Sequence, residues 1–450
     1  MRSLPLLIPM ATWAFASPAV AILHVNVVDV RSAAIHIDQT VVIRGDRIES
    51  AGRTAPAKDA RHINGRGKYL IPGLWDMHVH TGGSNDGWFP LFLANGVTGL
   101  RVTETSLRTF AELREYREAI SSGRREGPML VATAESIEGA GPSKPPPFGV
   151  RTESDAREAI ARLLAARVDF IKIGESIPPA AYFAVAQECN RLSLPFAGHV
   201  PLQLTPSAVS EAGQRSIEHL DGLLLACSIA ESSLRSQIQR GLPVDIETVI
   251  STFDRKKAAE LAALLRRNRT WVCPTLTTSR FAAESDGNHW DRDPRLRYVP
   301  ARYLQGWASR RRTVEHAKYA KELFRLDLEL TGLLWHGGVR ILAGTDTPWP
   351  YCVPGFALHD ELELLVRAGL PPAAALAAAT VGPAEFLNTG LPGGAIESGA
   401  PANLLLLEKN PLTGIAGTRT IAGAVLHGKW LDRRNLHQML DRAASAAAGR

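Results

Sequence analysis

Cysteine is scarce. Cys189, Cys227, Cys273 and Cys352 are the only four in 450 residues, too few and too widely spaced for a disulfide scaffold or a zinc knuckle, so buried free thiols are expected. A basic block is also missing: 51 Lys and Arg stand against 45 Asp and Glu, and the net charge of +6 is spread thinly. That spread lacks the concentrated positive surface a nucleic-acid backbone requires. Nor does any run stay apolar for the roughly 20 residues a bilayer span needs, so neither nucleic acid nor membrane is an expected partner of the mature chain. With 45% hydrophobic and 21% charged residues, disorder, collagen and coiled coil are excluded as well. The length points to a large barrel-type domain with a smaller companion.

Residues 1–21 read MRSLPLLIPMATWAFASPAVA: one basic residue, a short apolar run, then small residues at Ala14, Ala16, Ala19 and Ala21. This is the order of a secretory signal, and it predicts a periplasmic or secreted protein. Pro5, Pro9 and Pro18 argue against a spanning helix. The competing reading is a buried N-terminal strand. Loss of Arg2 would leave 50 − 45, or +5, with no consequence for partners.

From Ile22 to Leu70, short β-branched runs alternate with turn residues, with a hairpin signal at Gly45-Asp46. The texture returns in Asn403 to Lys409 and Thr420 to Leu431. Segments 22–70 and 388–435 are therefore expected to form one small β-sandwich domain, with 436–450 a C-terminal tail. Between them, over 71–387, strand-like runs alternate with amphipathic helices, the pattern of parallel βα units. Candidate strands begin at Gly73, Val97, Met129, Asp169, Leu194, Arg215, Thr270 and Val339. Eight is the number that closes an α/β fold of the (β/α)8 TIM type. Helical faces recur at Leu107, Phe110, Leu113, Tyr116 and Ile120, and at Ile160, Leu163, Leu164 and an anomalous Arg167. Two inserts, Gly139 to Gly149 and the segment carrying Arg280, Trp290, Tyr298, Tyr303 and Trp307, read as pocket walls.

The chemistry gathers where these strands end. His78 and His80 are two apart on a strand, so both imidazoles face one side, just before Thr81-Gly82-Gly83. His199 and His219 end the fifth and sixth strands, and Asp346 ends the eighth, which neighbours the first in a closed barrel. All five can reach a common cation site. Lys172 lies in the apolar run Phe170-Ile171-Lys172-Ile173, where a protonated ammonium is costly unless paired. Two readings stay open: a neutral lysine that takes up carbon dioxide as a carbamate able to bridge two cations, or an ordinary lysine bonded to Glu135 or another acid. Glu218 is expected on the opposite strand face from His219, in a structural role.

The motifs Pro72-Gly73-Leu74-Trp75-Asp76-Met77-His78-Val79-His80, Asp169-Phe170-Ile171-Lys172, Gly198-His199, Ser216-Ile217-Glu218-His219 and Ala343-Gly344-Thr345-Asp346 resemble the metal-dependent amidohydrolase superfamily, especially its imidazolonepropionase-like and Xaa-Pro or Xaa-Arg/Lys dipeptidase branch. The stretch Pro354 to Leu387 is similar to the helices that follow the family's last barrel strand, and Gly399 to Leu404 to its returning β segment, with Asn403 where Asp is common. The resemblance implies zinc, with His78, His80 and Asp346 on a first ion, His199 and His219 on a second, and carboxylated Lys172 between them, or a single zinc on the same ligands where Lys172 is unmodified. It implies hydrolysis of an amide, in a dipeptide or N-acyl amino acid, with Asp346 moving the proton. A cyclic amide, lactone or phosphotriester is the alternative substrate, and a non-catalytic binding barrel the alternative class. Arg101, Lys144, Arg280 and His359 are candidate cations for a substrate carboxylate by loop position. A small molecule is the expected partner, with a homo-oligomer possible.

Overall fold

A computed structural model describes residues 19–56, 58–81, 87–286, 290–314, 318–388 and 394–449. Strands β1 (Val20–Asp29), β2 (Ala34–Arg44) and β3 (Arg47–Gly52) form an antiparallel meander. Its second turn is at Gly45-Asp46, where Gly45 takes φ 59°, as the hairpin signal required. Strands β4 (Arg61–Asn64) and β5 (Tyr69–Pro72) lie parallel to β1. There follow β6 (Leu74–Val79), β7 (Val97–Val102), β8 (Met129–Ala132), the short pair β9 (Glu138–Gly139) and β10 (Gly149–Val150), then β11 (Ile171–Ile173), β12 (Phe196–Gly198), β13 (Ser216–Glu218) and β14 (Trp271–Cys273). Last come β15 (Leu404–Leu407), β16 (Ile421–Leu426) and β17 (Lys429–Asp432).

The two chain ends meet where β15 pairs antiparallel with β5. The expected sandwich is drawn differently by the hydrogen bonds: β17-β16-β15-β5-β1-β2-β3, with β4 beside β1, is one eight-stranded sheet. Ile22, Val25, Ile43, Leu70, Leu404, Leu406 and Val425 give it a core of its own. The expected signal boundary after Ala21 also falls inside this sheet. Val20 and Ala21 pair with Ile43 and Val42 and are buried. Residues 1–18 lie outside the described set, as do Gly82 and Gly83.

In the middle of the chain, β6, β7 and β8 form one parallel sheet and β11 to β14 another. Backbone bonds run between the two. Asp169 N donates to Ala132 O (3.0 Å) and Ile137 N to Lys172 O (2.9 Å). On the other side Leu342 N donates to Val272 O (2.9 Å), Met77 N to Ala343 O (2.8 Å) and His80 N to Thr347 O (2.7 Å). The predicted eighth strand is therefore present as bonded backbone, but only Ile341 and Thr347 form isolated bridges. Asp346, at φ 58°, breaks the extended geometry that a strand needs.

The helices between these strands follow their apolar periodicity with local exceptions. Helix Leu107–Ser121, capped by Ser106, buries Phe110, Leu113 and Ile120 while Leu107 stays exposed. Arg167 is no member of an apolar face: it caps helix Glu153–Ala166 in the left-handed conformation, φ 63°. The expected C-terminal tail is instead the helix Arg433–Ala447. It opens with a reciprocal Asp432/Asn435 capping box and buries Leu436, Met439 and Ala443 beside the helix Phe89–Ala94. Among the described residues no helix is long and apolar enough to cross a membrane. The four thiols are free and buried.

Candidate metal centre

His78 and His80 leave β6 on the same side, as strand alternation requires. Each points Nε2 at one oxygen: Asp346 Oδ1 lies 2.9 Å from His80 Nε2 and 3.3 Å from His78 Nε2. Donors held about 2.0–2.2 Å from a tetrahedral zinc stand roughly 3.3–3.6 Å from each other, so this spacing is close to that of a ligand set. The imidazoles continue as a chain. Ring centroids are 5.3 Å apart for His78 and His80, 4.8 Å for His78 and His219, and 4.9 Å for the stacked pair His199 and His219. Residues 141 positions apart in the sequence are thus neighbours because β6, β12 and β13 end at one rim.

For His78 and His219, hydrogen bonds on the far side of the ring fix which nitrogen is free. Thr275 Oγ1 donates its one proton to Pro274 O (2.8 Å), so it accepts from His219 Nδ1 (2.7 Å) and leaves the Nε2 lone pair available. His78 Nδ1 donates to Glu218 (2.8 Å), and its Nε2, though buried, has no hydrogen-bond partner. Burial holds His219 down at about 3 and His199 well below the usual imidazole range, so both rings are neutral near pH 7, the form that can bind a metal. Burial pushes the Asp346 carboxyl upward, but its close contacts with the His78 and His80 imidazoles outweigh that and keep it ionised. His219 and Asp346 both sit at positive φ, 65° and 58°, backbone strain of the kind that persists where a site imposes it.

Lys172 is 2% exposed, and its Nζ has no hydrogen-bond partner. Burial depresses its pKa, favouring the uncharged amine. The competing partner is committed elsewhere, since Glu135 accepts from Lys144 Nζ at 2.8 Å. An orphaned buried amine beside four imidazoles and a carboxylate is a donor set that divalent zinc and a lysine carbamate fit.

Several expectations need correction. Glu218 does not turn away from the site: fully buried, it accepts from His78 Nδ1, from Arg101 Nη2 (2.7 Å) and from Ser216 Oγ (2.5 Å). Burial pushes it upward, yet Arg101 and His78 hold it well below the usual carboxylate range. Arg101 is consequently a buried counter-ion, no ligand for substrate. Lys144 is clamped between Glu104 (2.7 Å) and Glu135, and Arg280 bonds Asp360 (3.0 Å). His359 is buried between Thr418 Oγ1 and Asn95 O, both at 2.9 Å. Arg101, Lys144 and His359 are thus committed within the protein, whereas Arg280 keeps a buried Nε without a hydrogen-bond partner. Trp290 and Trp307 pack with Phe281 and Tyr351 in a separate buried cluster that braces the insert from within.

Thr275 and Asp76 escape sequence reasoning, as does the contact of Glu218 with His78. The signal for Glu218 was available, because a carboxylate two residues after a serine on a barrel strand shares that serine's face. Asp76 bonds Thr345 N (3.0 Å) and Thr345 Oγ1 (2.7 Å), tying β6 to the residue before Asp346.

The Amidohydrolase family model matches residues 69–431, and the chain belongs to that family: it is a hydrolase acting on carbon–nitrogen bonds. Among solved structures it is similar to a putative prolidase from Bifidobacterium longum, at 23% identity and TM-score 0.70, covering 95% of this chain and 99% of that one. A bottromycin amidohydrolase matches at 22% identity and TM-score 0.74, over 95% and 90%. A Xaa-Pro dipeptidase with bound methionine matches at 19% identity and TM-score 0.67, over 92% and 100%. No curated relative matches the sequence.

Proposed function

We propose that this chain is an exported, zinc-dependent amidohydrolase that cleaves the amide bond of a dipeptide or N-acyl amino acid. The two parallel sheets are taken as parts of one (β/α)8 barrel, an inference supported by the backbone bonds that join β8 to β11, β14 to Leu342 and Ala343 to β6. The observation that carries the function is the convergence of His78, His80, His199, His219 and Asp346, with the unpartnered Nζ of Lys172 close enough to act electrostatically with Asp346, His199 and His219.

In this reading His78, His80 and Asp346 would hold one ion and His199 and His219 a second, with Lys172 as its carbamate a further ligand. Zinc so held supplies Lewis acidity toward the scissile carbonyl and a water acidic enough to ionise near neutral pH. The side chains do the rest. Asp346, ionised and in contact with both β6 histidines, accepts the proton of the attacking water and returns it to the leaving amine. Glu218 and Thr275 hold His78 and His219 in the tautomers that leave Nε2 free.

Metal analysis of protein prepared with bicarbonate tests this. Near two zinc equivalents are expected, falling when Lys172→Ala removes the amine; one equivalent in both samples would defeat the bridged centre. A screen of dipeptides and N-acyl amino acids with zinc supplied tests the reaction, and no turnover of any member would refute it.

A further inference from the structure

The rim beside His199 opens into an apolar cavity of about 270 Å³. Leu224, Leu225, Ile238, Val249 and Leu323 form much of its wall, and His199 belongs both to it and to the metal centre. Typical pockets for whole drug-sized ligands span about 300–1,000 Å³, so this one suits a single large side chain with its flanking group. Three charged residues also border it, Arg235, Glu175 and the Glu218 that is already paired with Arg101. Arg235 comes from helix Glu231–Gln239, in the insertion between β13 and β14. Its Nε bonds Glu231 (2.9 Å) and its Nη1 bonds Leu204 O (2.7 Å), while Nη2 is buried without a partner. Glu231 is shared with Lys257 Nζ (2.7 Å), so this one carboxylate serves two cations. A buried guanidinium donor left unmet is costly, and a carboxylate satisfies it with the strongest geometry available to arginine.

We propose that this cavity binds the leaving half of the substrate: an amino acid with a large aliphatic or aromatic side chain, its carboxylate on Arg235. Arg235 thereby takes the role for which Arg101, Lys144 and His359 are unavailable, at a cavity that Arg280 does not border. The proposal rests on the amide-hydrolase reading for the bond that is cut, but the binding itself is independent of turnover. Both dipeptides and N-acyl amino acids release an amine that carries the carboxylate, so the product alone reports on the site.

Calorimetry of the zinc-loaded protein with L-leucine, glycine and L-leucinamide tests it. Leucine should bind at least tenfold more tightly than glycine, which lacks the side chain, and than leucinamide, which lacks the charge. Arg235→Gln should bring leucine to the leucinamide level, and Leu225→Trp, which fills the cavity, should bring it to the glycine level with zinc content unchanged. Equal binding of leucine and leucinamide, or of leucine and glycine, overturns the proposal, and that comparison needs no variant to fold. If no amide is hydrolysed while the leucine preference stands, the hydrolase reading fails and the pocket remains. If amides are hydrolysed without that preference, the pocket fails alone.

Discussion

Glu218→Ala separates what a buried carboxylate does for the fold from what it does for the metal ligands. The side chain is inaccessible and meets three groups at once: Arg101 at 2.7 Å, Ser216 at 2.5 Å and His78 Nδ1 at 2.8 Å. Truncation leaves the Arg101 guanidinium buried with only Met77 O and Ser216 Oγ as partners. Breaking a buried pair from one side costs about 3–5 kcal/mol, chiefly for the uncompensated charge left behind. The same change frees His78 to rotate and change tautomer. Loss of such a support lowers metal affinity by about 10–100-fold, or about 1.4–2.8 kcal/mol. Adding Arg101→Met removes the orphaned charge, so the double variant should regain much of the lost stability. It should not regain zinc affinity, because Nδ1 lacks an acceptor in both proteins. Urea unfolding of the metal-free protein and zinc competition against a chelator measure the two quantities separately. Recovery of zinc affinity together with stability in the double variant would refute the assignment of Glu218 as the positioning group of His78.

Two further outcomes follow from the same geometry. Gly344→Ala would place a Cβ 2.5 Å from Cys273 Sγ and 2.7 Å from His78 Cβ, so it should displace His78 and lower zinc occupancy while far-ultraviolet circular dichroism stays unchanged; full occupancy would show that the strand yields. Glu361 is buried, and that burial raises its pKa from 4.5 to about 8 despite bonds from Leu276 N and Thr277 N. The folded state then holds a proton the unfolded state has lost, so stability should decline as pH rises from about 4.5 to about 8. In Glu361→Gln that contribution should vanish, and identical pH profiles for the two proteins would contradict it.

Strand alternation and strand ends were enough to bring His78, His80, His199, His219 and Asp346 together on paper, because a residue's face and height in a parallel barrel follow from its position along the run. Lys172 was legible for the same reason: one amine in an apolar strand is an anomaly at any fold level. The C-terminal helix was less legible, since its apolar positions Leu436, Met439 and Ala443 are few and gain meaning only against the helix Phe89–Ala94.

Partner identity is what the linear chain withheld. Sequence supplies which groups carry charge, whereas proximity across more than a hundred residues decides whether that charge is spent internally or free for a ligand. Arg101 is spent on Glu218 and Lys144 on Glu104 and Glu135. Arg235, inconspicuous in its helix, keeps one nitrogen unmet only because the segment carrying Leu204 folds against that helix and takes another. Periodicity sets the direction of a side chain, but desolvation and hydrogen-bond satisfaction are properties of the packed whole.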